Sequence, residues 1–180
     1  MPRRRFRLRT LLIVTAAIVL TAGAMRWWYD SQLAEFARQK RVVAELGKSH
    51  VTVAWEFLGP KRMEHSRLDR VFRRPTNVWF EYITDGELAK TAPRLAELTN
   101  LTTAYLLGSQ IVPLAREVQA GETNGVIEAL RAHPTLRTLV VDASIRGTPA
   151  EFDAPIYSRD DLALLEEVLP NLKIEWIEVN

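Results

Sequence analysis

Three stretches of the chain repeat one pattern, in which a helical segment, a short turn and an apolar strand follow one another. They begin at Thr84, Thr123 and Ser158, and each lead-in offers a hydroxyl, Asp or Asn side chain that can cap a helix. One such unit cannot bury both its strand and its helix alone, so repetition predicts stacked neighbours. The prediction is an α/β domain with a parallel sheet covered by helices.

The spacing of the units is steady. The leucine that follows each turn marks the phase, with separations of 35 and 36 residues, at Leu101, Leu136 and Leu172. A regular helix–turn–strand period is typical of a solenoid. An ordinary α/β domain, whose units look alike because all such units do, is the alternative.

Two segments carry a resemblance to a known group. "LTNLTTAYLLGSQI" (98–111) and "LRTLVVDAS" (136–144) fit the leucine-rich-repeat pattern. The matching residues are Leu101, Ala104, Leu106, Ser109 and Ile111, and then Leu136, Leu139, Val141 and Ser144. With its basic, apolar N-terminus, the chain resembles bacterial membrane-anchored leucine-rich-repeat proteins, loosely, over nearly its whole length. The resemblance implies an N-terminal transmembrane helix followed by a short, irregular leucine-rich-repeat-like solenoid.

The chain also departs from that family's pattern. Its period exceeds the usual ~20–29 residues, which implies roughly a dozen inserted residues per unit, in "PLAREVQAGE" and "GTPAEFDAPIY". Ser109 and Ser144 replace the family's ladder asparagine, so no asparagine ladder is expected.

The N-terminus predicts a membrane anchor. Leu11 to Met25 is a run of 15 residues without a charge, and continuing it through Tyr29 gives about 28 Å of helix at ~1.5 Å per residue. Trp27, Trp28 and Tyr29 are typical of a membrane interface. We therefore expect residues 11–29 to contact the lipid bilayer. The alternative is a cleaved signal, because Ala22-Gly23-Ala24 has the form of a cleavage site.

The charges around this run predict its orientation. Five arginines precede it and favour an N-terminus inside the cytoplasm. The C-terminal domain would then lie outside the cytoplasmic membrane, in a periplasmic or extracytoplasmic position. Arg38, Lys40 and Arg41 follow the run and weaken this bias without reversing it.

Composition divides the chain into three parts. Residues 1–29 are the basic N-terminus and anchor, residues 30–47 an amphipathic stalk helix, and residues 48–180 the α/β domain. In the domain, "HVTVAWEF" (50–57) and "NVWFEYI" (77–83) alternate as half-buried strands, with a short helix predicted at "RLDRVFRR" between them. Residues 75–180 hold eight Lys/Arg against sixteen Asp/Glu, which argues against a nucleic-acid partner.

No sequence pattern predicts an enzyme. The chain has no cysteine, and its three histidines are not at metal-ligand spacing. No nucleotide-binding glycine motif or nucleophile motif is present, so we expect no catalytic residue, cofactor or metal. His133 occupies the turn position that Leu98 and Leu169 hold in the other units, which predicts a buried structural histidine.

The remaining candidate is a protein-binding surface on the sheet face opposite the helices. Aromatic side chains and arginine on such a face are typical of binding hot spots. The predicted residues are Trp79, Glu81, Thr103, Tyr105, Arg137, Val140, Lys173 and Glu175. The sequence thus predicts a non-enzymatic protein-interaction module with an unidentified protein partner. A structural envelope protein that associates with itself, and a secreted domain released by signal cleavage, are the alternatives.

Overall fold

A computed structural model describes residues 8–80, 85–142 and 159–177. The described part contains six α-helices and five strands, with one-turn 3₁₀ helices at residues 47–49 and 61–63. The helices are α1 (Leu8–Leu46), α2 (Asp69–Phe72), α3 (Asp85–Leu95), α4 (Gly108–Gln119), α5 (Gly125–Ala132) and α6 (Arg159–Val168). The strands are β1 (Val51–Phe57), β2 (Arg73–Phe80), β3 (Thr103–Leu107), β4 (Thr138–Asp142) and β5 (Lys173–Ile177).

The five strands form one sheet in chain order, β1-β2-β3-β4-β5. β1 and β2 are antiparallel, and the pairs from β2 to β5 are parallel. The predicted α/β fold with a sheet covered by helices is confirmed. The sheet is parallel only from β2 to β5, and the antiparallel β1–β2 pair departs from the predicted parallel arrangement. β3, β4 and β5 pair with a constant offset of 35 residues, because Thr103 lies opposite Thr138 and Thr138 opposite Lys173.

The antiparallel pair contains an irregularity that accommodates a proline. Ala54 pairs with Asn77 and Trp55 with Pro75, so Thr76 is an extra residue on β2. A bulge is one of the few strand positions that tolerate the missing N–H of proline. The Thr76 carbonyl accepts from the Thr102 N–H at 2.8 Å and so begins the parallel pairing with the next unit.

One hydrophobic core joins the helices to one face of the sheet. It contains alternate strand residues, such as Val78, Ala104, Leu106, Leu139 and Val141, together with residues of α1 and α3 to α6. This alternation follows from the two-residue period of a strand. The intervening strand residues consequently point to the opposite face.

α4 accounts for most of the first predicted insertion. It includes the segment "PLAREVQ" and buries Ile111, Val112, Leu114 and Ala115 in the core. Ser109, at the ladder position of the leucine-rich-repeat pattern, lies in the first turn of α4 and is exposed. Ser144 and the second predicted insertion, "GTPAEFDAPIY", lie outside the described residues.

α1 joins the predicted anchor and the predicted stalk in one helix of 39 residues, about 58 Å long at ~1.5 Å per residue. Its N-terminal half is long and apolar enough to cross a membrane and is not buried by the rest of the chain. Its C-terminal half packs on the domain, where Gln39, Val42 and Leu46 are buried. The larger apolar side chains of residues 30–47 are therefore buried or half-buried within the chain.

Candidate interaction face

Two rows of side chains cross the sheet on the face opposite the helices. Strand register defines both rows, because paired residues in neighbouring strands project to the same side. The first row contains Thr52, Trp79, Tyr105, Val140 and Glu175. The second row contains Ala54, Asn77, Thr103, Thr138 and Lys173.

The centre of the first row is an aromatic stack. The rings of Trp79 and Tyr105 lie face to face, with centroids 4.6 Å apart and an angle of 13° between their planes. Parallel strands about 4.8 Å apart place paired side chains at this spacing. Both side chains are half-buried, so each ring offers one part of its surface to the neighbouring ring and another part to the outside.

The far end of the face is charged and polar. Lys173 Nζ and Glu175 Oε1 form an ion pair at 2.7 Å, and both side chains are exposed. In the second row Thr138 pairs with Lys173 and Thr103 pairs with Thr138, and both threonines are half-buried. An aromatic centre with a polar border is the usual anatomy of a protein-binding patch.

The structure brings five of the eight predicted residues to the accessible part of these rows. They are Trp79, Thr103, Tyr105, Lys173 and Glu175. Val140 lies in the first row, but it is only 4% exposed and offers almost no contact area. Glu81 lies outside the described residues.

Arg137 belongs to neither row, although its backbone hydrogen-bonds to Thr102 and Lys173 of the neighbouring units. It precedes β4, which begins at Thr138, and its Nη1 atom donates to the carbonyl of Leu136 at 2.9 Å. The repeat pattern assigns Arg137 to the face, because the pattern does not determine which residue of β4 is the first to pair with β3. Asn77 and Thr138, which the sequence did not single out, lie in the second row, and the strand pairing is what identifies them.

His133 lies in the turn before β4, where its ring makes two contacts with the backbone. His133 is buried, with Nε2 2.9 Å from the carbonyl oxygen of Leu95 and Nδ1 3.1 Å from the backbone N of Leu136. Burial lowers the pKa of His133, which favours the neutral ring that these two contacts need. Among the described residues, no cluster of three or more His, Asp or Glu side chains could hold a metal ion.

Comparison with protein-family models, curated proteins and solved structures gives no significant match to this chain.

Proposed function

We propose that the chain is a membrane-anchored, non-enzymatic binding module that presents the helix-free sheet face to a protein outside the cytoplasm. The stacked pair Trp79–Tyr105 is the observation that carries this proposal. Two adjacent aromatic rings on a sheet face provide a large, rigid contact area at a low cost in conformational entropy. The charged pair Lys173–Glu175, on the edge strand β5 of the same face, would fix the orientation of the partner.

The charge of the domain indicates which kind of protein the face would bind. Residues 75–180 carry twice as many acidic as basic side chains. A partner with a basic border around an apolar centre would therefore approach faster and be favoured over an acidic one. We propose that the partner's contact surface has this composition.

A photo-crosslinking amino acid in place of Thr103 tests the face directly. In cells, we expect an adduct with one protein from position 103 and none from Glu128, an exposed position on α5. The double variant Trp79→Ala/Tyr105→Ala should abolish the adduct, whereas Glu128→Ala should preserve it. Circular dichroism of the purified variants controls for folding. Equal adducts from both positions, or an adduct that survives the aromatic substitutions, would contradict the proposal.

We also propose that the anchor is retained and that the domain lies outside the cytoplasm. Ten large apolar side chains of α1, from Leu11 to Trp28, are exposed, which is consistent with a lipid environment. Because the chain has no cysteine, Gln119→Cys creates a single thiol on the domain. It should react with an impermeant maleimide in intact cells. Labelling only after permeabilisation would contradict this orientation and place the domain in the cytoplasm. A mature N-terminus just after Ala24 would show that the segment is cleaved.

The leucine-rich-repeat-like solenoid is the finer proposal about the fold. The chain-order strand arrangement and the 35-residue offset support it. Deleting residues 103–137 would remove one unit and connect Thr102 to Thr138. Thr138 is equivalent to Thr103, with which it pairs, so the pattern would continue without a shift. A solenoid should keep a cooperative unfolding transition after this deletion, at a lower temperature. Complete loss of cooperative unfolding would favour the ordinary α/β domain.

A further inference from the structure

The segment that connects β1 to β2 has a charge opposite to that of the following domain. Residues 58–74 contain six basic side chains, Lys61, Arg62, Arg67, Arg70, Arg73 and Arg74, and only two acidic ones, Glu64 and Asp69. We call residues 58–72 the juxtamembrane loop. Its position and its exposed side chains suggest a role that the sheet face does not explain.

Ring contacts place the end of this loop against α1. The rings of Phe72 and Trp28 have centroids 6.1 Å apart, and the rings of Phe72 and Phe57 make an edge-on contact with centroids 5.8 Å apart. Trp28 lies three residues after Met25, the last residue of the uncharged run. Along the helix axis this is about 4.5 Å. The loop therefore lies beside the point where the apolar part of α1 ends.

Two of the six basic side chains form hydrogen bonds within the protein. Arg73 Nε donates to Asp69 Oδ2 at 2.6 Å, and this contact lowers the pKa of the Asp69 carboxyl group. Arg74 donates to Gln32 Oε1 on α1 and to the Arg73 carbonyl. The contact between Arg74 and Gln32 attaches the base of the loop to α1. Both arginines are consequently half-buried.

The other four bases point outward. Lys61, Arg62, Arg67 and Arg70 are exposed, and none of them forms an ion pair with the described part of the chain. Apolar side chains accompany them. Leu58 is 56% exposed and Leu68 is 37% exposed. Unpaired bases interspersed with exposed leucines are typical of a surface that lies on a membrane with anionic lipids.

We propose that the juxtamembrane loop binds the headgroups of anionic phospholipids in the bilayer that α1 crosses. Lys61, Arg62, Arg67 and Arg70 contact lipid phosphates, and Leu58 and Leu68 enter the boundary between headgroups and acyl chains. The inference rests on the membrane anchor of the proposed function, but it holds for either leaflet. The domain would then be attached to the membrane at two points, which restricts the directions in which the sheet face can point.

Depth measurements on the full chain test this proposal. Leu58→Cys supplies a single thiol for a polarity-sensitive fluorophore, and Ala44→Cys, an exposed α1 position about 24 Å beyond Trp28, is the matched control. The labelled chains are reconstituted in nanodiscs of phosphatidylcholine, with or without phosphatidylglycerol. A lipid with a spin label in its headgroup serves as the quencher. We expect phosphatidylglycerol to increase quenching at position 58 by roughly twofold or more and to leave position 44 unchanged.

Charge reversal separates the loop from general electrostatics. Arg67→Glu/Arg70→Glu should abolish the effect of phosphatidylglycerol at position 58. Lys48→Glu/Lys90→Glu reverses the same number of charges, just after the C-terminal end of α1 and on α3. This control variant should preserve the effect of phosphatidylglycerol. High salt should weaken the effect because it screens exposed charges. The proposal is overturned if quenching is the same in both kinds of nanodisc, or if both double variants behave alike.

Two further outcomes are distinguishable. If inorganic phosphate shifts the fluorescence at position 58 in phosphatidylcholine nanodiscs as strongly as phosphatidylglycerol does, the loop binds free phosphate and the membrane proposal is wrong. If the chain fails to insert into nanodiscs, the anchor is refuted and both proposals fall. If the chain inserts but the label at position 58 is not quenched, the proposal that the loop binds lipid is refuted. The proposal about the sheet face is unaffected, because crosslinking tests it independently.

Discussion

His133 Nε2 lies 2.9 Å from the carbonyl oxygen of Leu95, and this contact joins the turn before β4 to the last helical turn of the preceding unit. The other ring nitrogen, Nδ1, accepts from the Leu136 N–H at 3.1 Å. In the other two turns a backbone carbonyl is the acceptor, because Leu101 N–H donates to Leu98 and Leu172 N–H to Leu169. The histidine ring thus replaces a backbone acceptor and links two units.

We predict that protonation of His133 destabilises the domain. Burial holds the pKa of this ring below the ordinary histidine value of 6.5 in the folded state, so the unfolded chain binds the proton more readily. The neutral ring should therefore make its full contribution to the free energy of unfolding above pH 6.5. This contribution should decrease as the pH falls from 6.5 toward the pKa of the folded state. Urea unfolding in detergent measures this decrease, when it is monitored by near-ultraviolet circular dichroism of the tryptophan side chains at pH values above and below 6.5.

His133→Leu should remove this part of the pH dependence, because leucine does not bind a proton. The buried residues Leu98 and Leu169 show that leucine fits the equivalent turn position. At neutral pH the variant should lose about 1–3 kcal/mol, since the Leu95 carbonyl loses its donor. His50→Asn is the control: His50 is exposed, and asparagine tolerates its left-handed backbone, with φ 55°. Parallel pH profiles for wild type and His133→Leu would contradict the role assigned to the ring.

Gln39 connects α1 to the domain through a buried amide. Its Nε2 atom donates to the Glu97 carbonyl at 2.9 Å and to Glu35 Oε1 at 2.6 Å. We predict that Gln39→Ala reduces the free energy of unfolding by about 1–3 kcal/mol, because it removes a fully buried side chain and leaves the Glu97 carbonyl without this donor. Hydrogen exchange should accelerate in the turn of residues 97–101. Lys40→Ala, at the exposed neighbouring position, should have no comparable effect on either measurement.

Strand period and turn spacing predict the sheet and most of its accessible face. Alternation alone assigns Trp79 and Tyr105 to the side opposite Val78 and Ala104, and parallel pairing then makes the two aromatic residues neighbours. Arg137 shows where this reasoning stops. A pattern of leucines marks the turn but not the first paired residue of the strand.

Continuity of α1 could not be predicted from composition. The chain changes from apolar to amphipathic near Trp27–Asp30, which suggests two separate elements. Backbone hydrogen bonds of a helix do not depend on that change, and no proline or cap interrupts them between residues 8 and 46. The sequence does not predict α4 as a helix, because two of its residues disfavour one. Gly108 and Pro113 have low helix propensity, but burial of the apolar face of α4 outweighs it.

Asn124 is the cap of α5 and supports the unit that contains His133. Its side-chain oxygen accepts from the N–H groups of Val126 at 3.0 Å and Ile127 at 3.4 Å. We predict that Asn124→Ala costs about 1 kcal/mol of stability, as is typical for loss of a cap. Asn124→Ser should retain most of the stability because its hydroxyl can accept the same bonds. Chemical denaturation of the three proteins in parallel measures the difference, and equal midpoints would contradict a capping role.

Gly59 lies where the juxtamembrane loop passes the aromatic pair Phe57–Phe72, and only the absence of a side chain allows this approach. A methyl group at this position would lie 2.5 Å from Phe72 Cγ and 2.8 Å from Phe57 Cζ, both far below van der Waals contact. We predict that Gly59→Ala destabilises the protein by about 1–3 kcal/mol, because the rings must move.

Gly47→Ala is the matched control for this substitution, since a methyl group there meets no atom within 4 Å. That variant should be neutral or more stable by about 0.4–1 kcal/mol, because alanine has fewer conformations in the unfolded chain. Displacement of Phe72 should also weaken its contact with Trp28. The tryptophan emission of Gly59→Ala in micelles should therefore differ from that of wild type, and that of Gly47→Ala should not. If the two alanine variants unfold at the same denaturant concentration, the loop is not packed against α1 as these ring contacts require.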